Sequence, residues 1–190
     1  MYRVLYYSGN EELIVDKHVQ MLIQALSNVS DFYLGHEEIR MYKDKETNVK
    51  IRAERVFAYE LYHQFRLLMK DDCGYYLNGE IRKSNDVFRW ERECGCYPDL
   101  VLHGNLTHVD NESQYFLCEI KMSTNTSLLE DLSKLTDFCN SDLAFQNYIF
   151  VCIGLSRTEL IDIMKGKDKK YDKRILCICR KDKDIEVFKL

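Results

Sequence analysis

Apolar positions recur at helical spacing in two early stretches of the chain. Val15, Val19, Leu22 and Leu26 make one stripe over residues 11–27, which predicts an amphipathic helix there. A second stripe, Phe57, Leu61, Phe65 and Leu68, predicts a longer helix from about Asn48, read as its cap, to about Lys70. Residues 30–47 lie between them, polar and without a clear period. The spacing then shortens. "YYLNGEIRKS" (75–84), "DLVLH" (99–103) and "QYFLCEIKM" (114–122) read as strands, the last two pairing as a hairpin or lying side by side across the polar loop 104–113. Ser127 and Glu130 have the spacing of a capping box, ahead of an inner face of Leu128, Leu132, Leu135 and Cys139. "NYIFVCIGL" (147–155) is apolar throughout, as a strand covered on both faces must be. Ser156 and Glu159 repeat the box before a short helix to about Lys165. Residues 174–180 and 184–190 predict two closing strands, arranged as a hairpin.

From the second helix onward the order is helix, three strands, helix, strand, helix, two strands. That order predicts an α/β fold with a mixed sheet and helices on its faces. No internal repeat, low-complexity tract or linker interrupts it. Residues 1–190 therefore read as one domain, with a helical N-terminal extension (1–47), a core (48–155) and a C-terminal helix with strands (156–190). A chain of 190 residues is long enough to bury a sizeable core.

Composition narrows the setting. Thirteen Tyr and nine Phe are too many for a disordered chain. Eight cysteines invite a disulfide framework, but "YFLCEI", "IFVCIG" and "ILCICR" place several inside apolar runs, where free Cys packs as a small hydrophobe. The opening "MYRVLYYSGNEEL" lacks the pattern of a secretory leader, so a reducing cytoplasmic location is expected. No apolar run approaches the roughly 18 residues a membrane span requires. The net charge of −4 argues against a strong non-specific nucleic-acid binder. One basic run, "KGKDKKYDKR" (165–174), stands against that balance and reads first as a solvated loop.

The strands carry charge where core is expected. In 114–122 the alternation of side chains puts Tyr115, Leu117, Glu119 and Lys121 on one face and Phe116, Cys118, Ile120 and Met122 on the other. In 99–103 Asp99, Val101 and His103 share a face. If these strands are neighbours, Asp99 falls near Glu119. Two close carboxylates resist joint ionisation unless a cation lies between them. A hard divalent ion such as Mg²⁺ or Mn²⁺ answers that need, and a lysine alongside can position an attacking water and offset charge growing on a phosphate. The plainer reading of Glu-x-Lys is a same-face surface ion pair worth about 1 kcal/mol or less. The apolar residues before Glu119, the Pro98-Asp99 start of the preceding strand and the order of elements weigh against it.

"PDLVL…FLCEIKM" resembles the PD-(D/E)xK nuclease superfamily, the restriction-endonuclease-like fold, over roughly residues 48–155. The resemblance implies a core of helix, three strands, helix and strand. It implies that Asp99, Glu119 and the backbone carbonyl of Ile120 hold Mg²⁺ or Mn²⁺, that Lys121 positions water, and that cleavage leaves a 5′-phosphate. The family often adds an acid from the first core helix. Glu54 is favoured, since "ERVFAYEL" resembles the helix start of archaeal junction-resolvase-like members, and Glu60 is the other candidate. His63, Arg66, Lys134 and the 165–174 run are candidate phosphate contacts. The expected partner is nucleic acid, DNA before RNA, with a homodimer or protein partner open. The alternative is a catalytically inactive module of the same fold that binds DNA or protein.

Other constellations are weaker. Cys94-Gly-Cys96, with Cys73 and His103 elsewhere, lacks the usual zinc spacing, and no iron–sulfur spacing is present. Walker, dinucleotide-binding and Gly-x-Ser-x-Gly motifs are absent from the sequence. His18, His36 and His108 read as surface or loop residues.

Overall fold

The computed structural model describes residues 2–7, 13, 15–34, 36–42, 45–51, 54–70, 74–79, 98–104, 114–122, 127–141, 144–166 and 170–190, with backbone alone for 36–42 and 45–51. Its elements are β1 (Arg3–Tyr7), α1 (Lys17–Asn28), a 3₁₀ turn (Asp31–Leu34), β2 (His36–Tyr42), β3 (Lys45–Ile51), α2 (Glu54–Leu68), β4 (Tyr75–Gly79), β5 (Leu100–Gly104) and β6 (Gln114–Met122). They continue as α3 (Leu128–Cys139), β7 (Asn147–Ile153), α4 (Arg157–Lys165), β8 (Ile175–Lys181) and β9 (Asp184–Lys189). Seven strands form one mixed sheet in the order β1-β9-β8-β7-β6-β5-β4, and β2 and β3 pair separately as an antiparallel hairpin. The β4–β5, β5–β6 and β8–β9 pairs are antiparallel, whereas β6–β7, β7–β8 and β1–β9 are parallel.

Two apolar layers cover the sheet. Val19, Leu22 and Leu26 of α1 and Phe57, Leu61 and Phe65 of α2 pack with Leu100, Leu102, Phe116, Cys118 and Ile120. Leu128, Leu132 and Leu135 of α3 and Leu160 of α4 pack on the opposite face with Val101, Leu117, Phe150 and Cys152. β7 lies at the centre, its alternate residues divided between the two layers, which is why its sequence is apolar without a break.

Several local expectations need correction. The first 47 residues are not simply helical. Arg3–Tyr7 joins the main sheet beside the last strand, and Arg3 pairs with Asp184 at its rim. Asn48 belongs to β3, and α2 starts at Glu54; the alternating "KETNVKI" decides the earlier segment, and the apolar stripe takes over only at Phe57. Ser127 precedes α3 without a side-chain cap, its own backbone already helical. The second box does form, with Ser156 N–H donating to Glu159 and Ser156 Oγ accepting from the Glu159 amide. The strand expected over 147–155 ends at Ile153. Residues 80–84 of the strand expected at 75–84 lie outside the described residues, as do Cys73, Cys94, Cys96 and His108.

Two further corrections concern faces. Tyr115 does not share the face of Glu119. The β5–β6 register shifts between Leu102 and His103, opposite Phe116 and Gln114, so Tyr115 is the extra residue of a bulge and turns to the α1–α2 layer. His18 is not a surface residue. It is 5% exposed in the first turn of α1, its ring between Tyr75 and Tyr115, and burial lowers its pKa.

A candidate active site at the carboxyl end of β6

β5 and β6 are hydrogen-bonded neighbours with Leu100 opposite Cys118. One step further along this antiparallel pair, Asp99 comes level with Glu119, on the face covered by α3. Asp99 is held there, because its Oδ2 accepts from the Ile120 amide at 2.7 Å. Glu119 is 3% exposed, and its Oε1 is buried with no hydrogen-bond partner.

Lys121 is next on that face, at the end of the strand, where helices from both layers reach it. From α2, Glu54 Oε1 accepts from Lys121 Nζ at 3.1 Å, while Glu54 Oε2 accepts from the Met122 amide at 3.0 Å. From α3, Asp131 Oδ2 lies 2.7 Å from the same Nζ, and Asp131 Oδ1 accepts from Lys134 at 2.6 Å. Four carboxyl groups from α2, the β5 entrance, β6 and α3 thus gather at one half-buried ammonium, which Glu54 and Asp131 contact, with a second ammonium at the rim.

The charge balance sorts these acids. Glu54 and Asp131 have the lysines. Asp99 and Glu119 both resist ionisation. Burial drives the Asp99 pKa up to about 6, helped by Glu54 and Asp131 and opposed by the Ile120 hydrogen bond and Lys121. Burial, then the Asp99 charge, pushes Glu119 well above the usual carboxylate range. Burial pulls Lys121 down, but its bonds to Asp131 and Glu54 outweigh that and leave its pKa raised. These displacements come from both desolvation and specific charged neighbours, the combination that marks functional sites.

The sequence candidates divide accordingly. Asp99, Glu119, Lys121 and Glu54 come together, with the Ile120 backbone tied to Asp99. Glu60 accepts from Gln64 at 2.7 Å along its own helix, away from the cluster. His63 and Arg66 are exposed on α2, and Arg66 reaches Met69. Lys134 is engaged with Asp131. Asp131 is the residue sequence reasoning missed. It is 5% exposed, and its signal was available: it falls three residues after Leu128 and four before Leu135, on the apolar stripe of α3, where an isolated acid is out of place. Among the described residues no three His, Cys, Asp or Glu side chains are arranged to hold a metal ion as they stand.

A cleft of about 260 Å³ opens beside the cluster. Glu54, Arg55, Tyr59 and Tyr62 of α2 form one wall, with Gly79, Asp99 and Leu100 opposite. None of the described helices is long and apolar enough to cross a membrane. No family model matches the chain, and neither a curated protein nor a solved structure matches it.

Proposed function

We propose that the chain is a metal-dependent phosphodiesterase that hydrolyses nucleic acid, a nuclease of the PD-(D/E)xK type. The observation that carries this reading is the Asp99–Glu119 pair. Two neighbouring carboxyls, both pushed toward their protonated forms, stand beside a lysine that two other acids hold in place. The order α2-β4-β5-β6-α3-β7, with β6 parallel to β7, supports it as well.

The donor set suits Mg²⁺ or Mn²⁺. Mg²⁺ is bound through one or two carboxylates and keeps several waters, so Asp99 and Glu119, with the Ile120 carbonyl, suffice without a third side chain. The unpartnered Oε1 of Glu119 is an acceptor in need of a cation. When bound, the ion would supply Lewis-acid stabilisation of charge on the phosphoryl oxygens. The remaining steps belong to the chain's own groups. Glu54 and Asp131 keep Lys121 protonated and fix its position. Lys121 Nζ then donates to the attacking water or to a non-bridging phosphate oxygen, where negative charge grows. Lys134 holds Asp131 from its far side and screens the site from the rim.

The test is a panel of single- and double-stranded DNA and RNA incubated with Mn²⁺, with Glu119→Gln and Lys121→Ala alongside. Cleavage by the wild type and its loss in both variants is expected. A wild type that cuts nothing and whose melting temperature does not respond to metal, yet binds nucleic acid, would instead be the inactive binding module. That second reading draws on the ion pairs that already satisfy Lys121 on both sides.

A further inference from the structure

The cleft beside the cluster has a shape of its own. Arg55, Tyr59 and Tyr62 stand at helical spacing on one face of α2 and bring a cation and two aromatic rings to the same wall. Tyr59 is 59% exposed. Gly79 keeps the slot open. A Cβ there would lie 3.7 Å from Tyr62 Cδ2 and 3.6 Å from Leu100 Cδ2, touching both walls at once without a clash. Glu54 and Asp99 complete the lining, so the slot runs into the acids of the candidate site.

We infer that this cleft receives one unpaired nucleobase of the strand whose phosphate lies at Asp99 and Glu119, so that the enzyme acts on single-stranded or unpaired nucleic acid. The inference rests on the nuclease reading and adds the substrate class. Aromatic side chains beside apolar residues accept a flat heterocycle of any sequence, the recognition mode of single-strand binders. The cation of Arg55 suits the adjoining phosphate. At about 260 Å³ the space is just below the roughly 300 Å³ of pockets that enclose drug-sized ligands, enough for one nucleoside and too little for a stacked pair. A base inside a duplex is committed to its stack and must be extruded before it can enter, which an unpaired strand avoids.

The experiment is fluorescence anisotropy with an end-labelled DNA strand of about 12 nucleotides, within the site sizes of single-strand binders, and with its duplex, both in Ca²⁺. Wild type, Tyr59→Ala, Gly79→Val and Tyr76→Ala are compared, with circular dichroism melts to verify folding. The wild type binds the single strand more tightly than the duplex. Tyr59→Ala and Gly79→Val each weaken single-strand binding about 5- to 150-fold, the range that loss of one base–aromatic stack entails. Tyr76, equally exposed but on β4 and stacked on His103, serves as control and leaves binding unchanged. Tyr59 is exposed, so Tyr59→Ala decides the matter if Gly79→Val fails to fold. Equal affinity for both forms, or binding insensitive to the cleft, overturns the inference and leaves Mn²⁺-dependent cleavage untouched. Cleft-dependent single-strand binding without cleavage upholds the base site and overturns the nuclease reading instead.

Discussion

Replacing Asp99 by Asn should stabilise the metal-free protein at alkaline pH. The Asp99 carboxyl is half-buried, and its pKa rises from 3.8 to about 6 on folding. Between those values the folded carboxyl holds a proton that the unfolded one has released. Stability therefore falls as pH rises through this window, by about 1.4 kcal/mol for each pH unit. From 3.8 to about 6 the accumulated cost is about 3 kcal/mol, absent in strong acid and fully present above about pH 6. Asn retains an oxygen to accept from the Ile120 amide, as Asp99 does at 2.7 Å, so the hydrogen bond survives while the charge is removed. Urea unfolding with a chelator present, from pH 3.5 to pH 8, measures the difference. The two proteins should coincide at the acid end, and Asn should be ahead by about 3 kcal/mol at the other, or roughly 6–12 °C in melting temperature for a chain of this size. Added Mg²⁺ should then stabilise the wild type and leave Asp99→Asn unmoved. A gap that does not change with pH, or a wild type ahead at pH 8 without metal, would refute the charge argument.

Four other outcomes follow from single sites. Lys121→Ala should abolish cleavage and, by leaving buried Asp131 with Lys134 alone, lower stability by about 3 kcal/mol in urea melts, the lower end for a broken buried pair. Arg180→Met should cost about 3–5 kcal/mol, because Arg180 is 1% exposed and donates to the Leu26 and Val29 carbonyls, Tyr2 and Asp31. Ser156→Ala should cost about 1 kcal/mol by opening the α4 capping box, read from the same melts. His18 has its pKa lowered by burial, so the unfolded chain binds protons more readily and stability is lost as pH falls below 6.5. His18→Phe should flatten that limb of the profile.

The sheet was legible where one period dominated. β5, β6 and β7 could be read from runs of apolar residues, and the position of Glu119 and Lys121 on one face followed from alternation alone. What escaped were features set by partners distant in sequence. Tyr115 changes face because of a bulge against β5, which no local pattern announces. β1 is a strand because β9 offers its edge, although the two are separated by nearly the whole chain. His18 reads as a surface or loop residue from its sequence alone, and is buried because two tyrosines from different strands close over it. At the site, Asp99, Glu119 and Lys121 were accessible from spacing. That Glu54 grips Lys121 while Glu60 turns to Gln64 depends on which side of α2 meets the end of β6. Asp131 is visible in principle as an acid on an apolar stripe, but Leu128, Leu132, Leu135 and Cys139 complete that stripe without it.

The protein treats its buried charges in two ways. Arg180 is enclosed by two backbone carbonyls, Asp31 and the Tyr2 ring, so that its cation is answered on every nitrogen but Nε. That is how a charge is kept for structure. Glu119 is as deeply buried, yet its Oε1 is the one carboxylate oxygen among the buried unpartnered atoms of the described residues. The largest electrostatic influence on it, after burial itself, is the like charge of Asp99. The lysines offset the pair only in part: Lys134 and Lys121 favour the charged form of Glu119, but burial and the Asp99 charge outweigh them. An added cation changes the sign of the arrangement: two groups that each oppose folding become two ligands, and binding returns stability with the logarithm of metal concentration, about 2.7 kcal/mol at a hundredfold excess over the dissociation constant. Stabilisation by metal is therefore expected to set in at the same concentrations that switch on cleavage, and onsets at clearly separate concentrations would break the link between the acids and the chemistry.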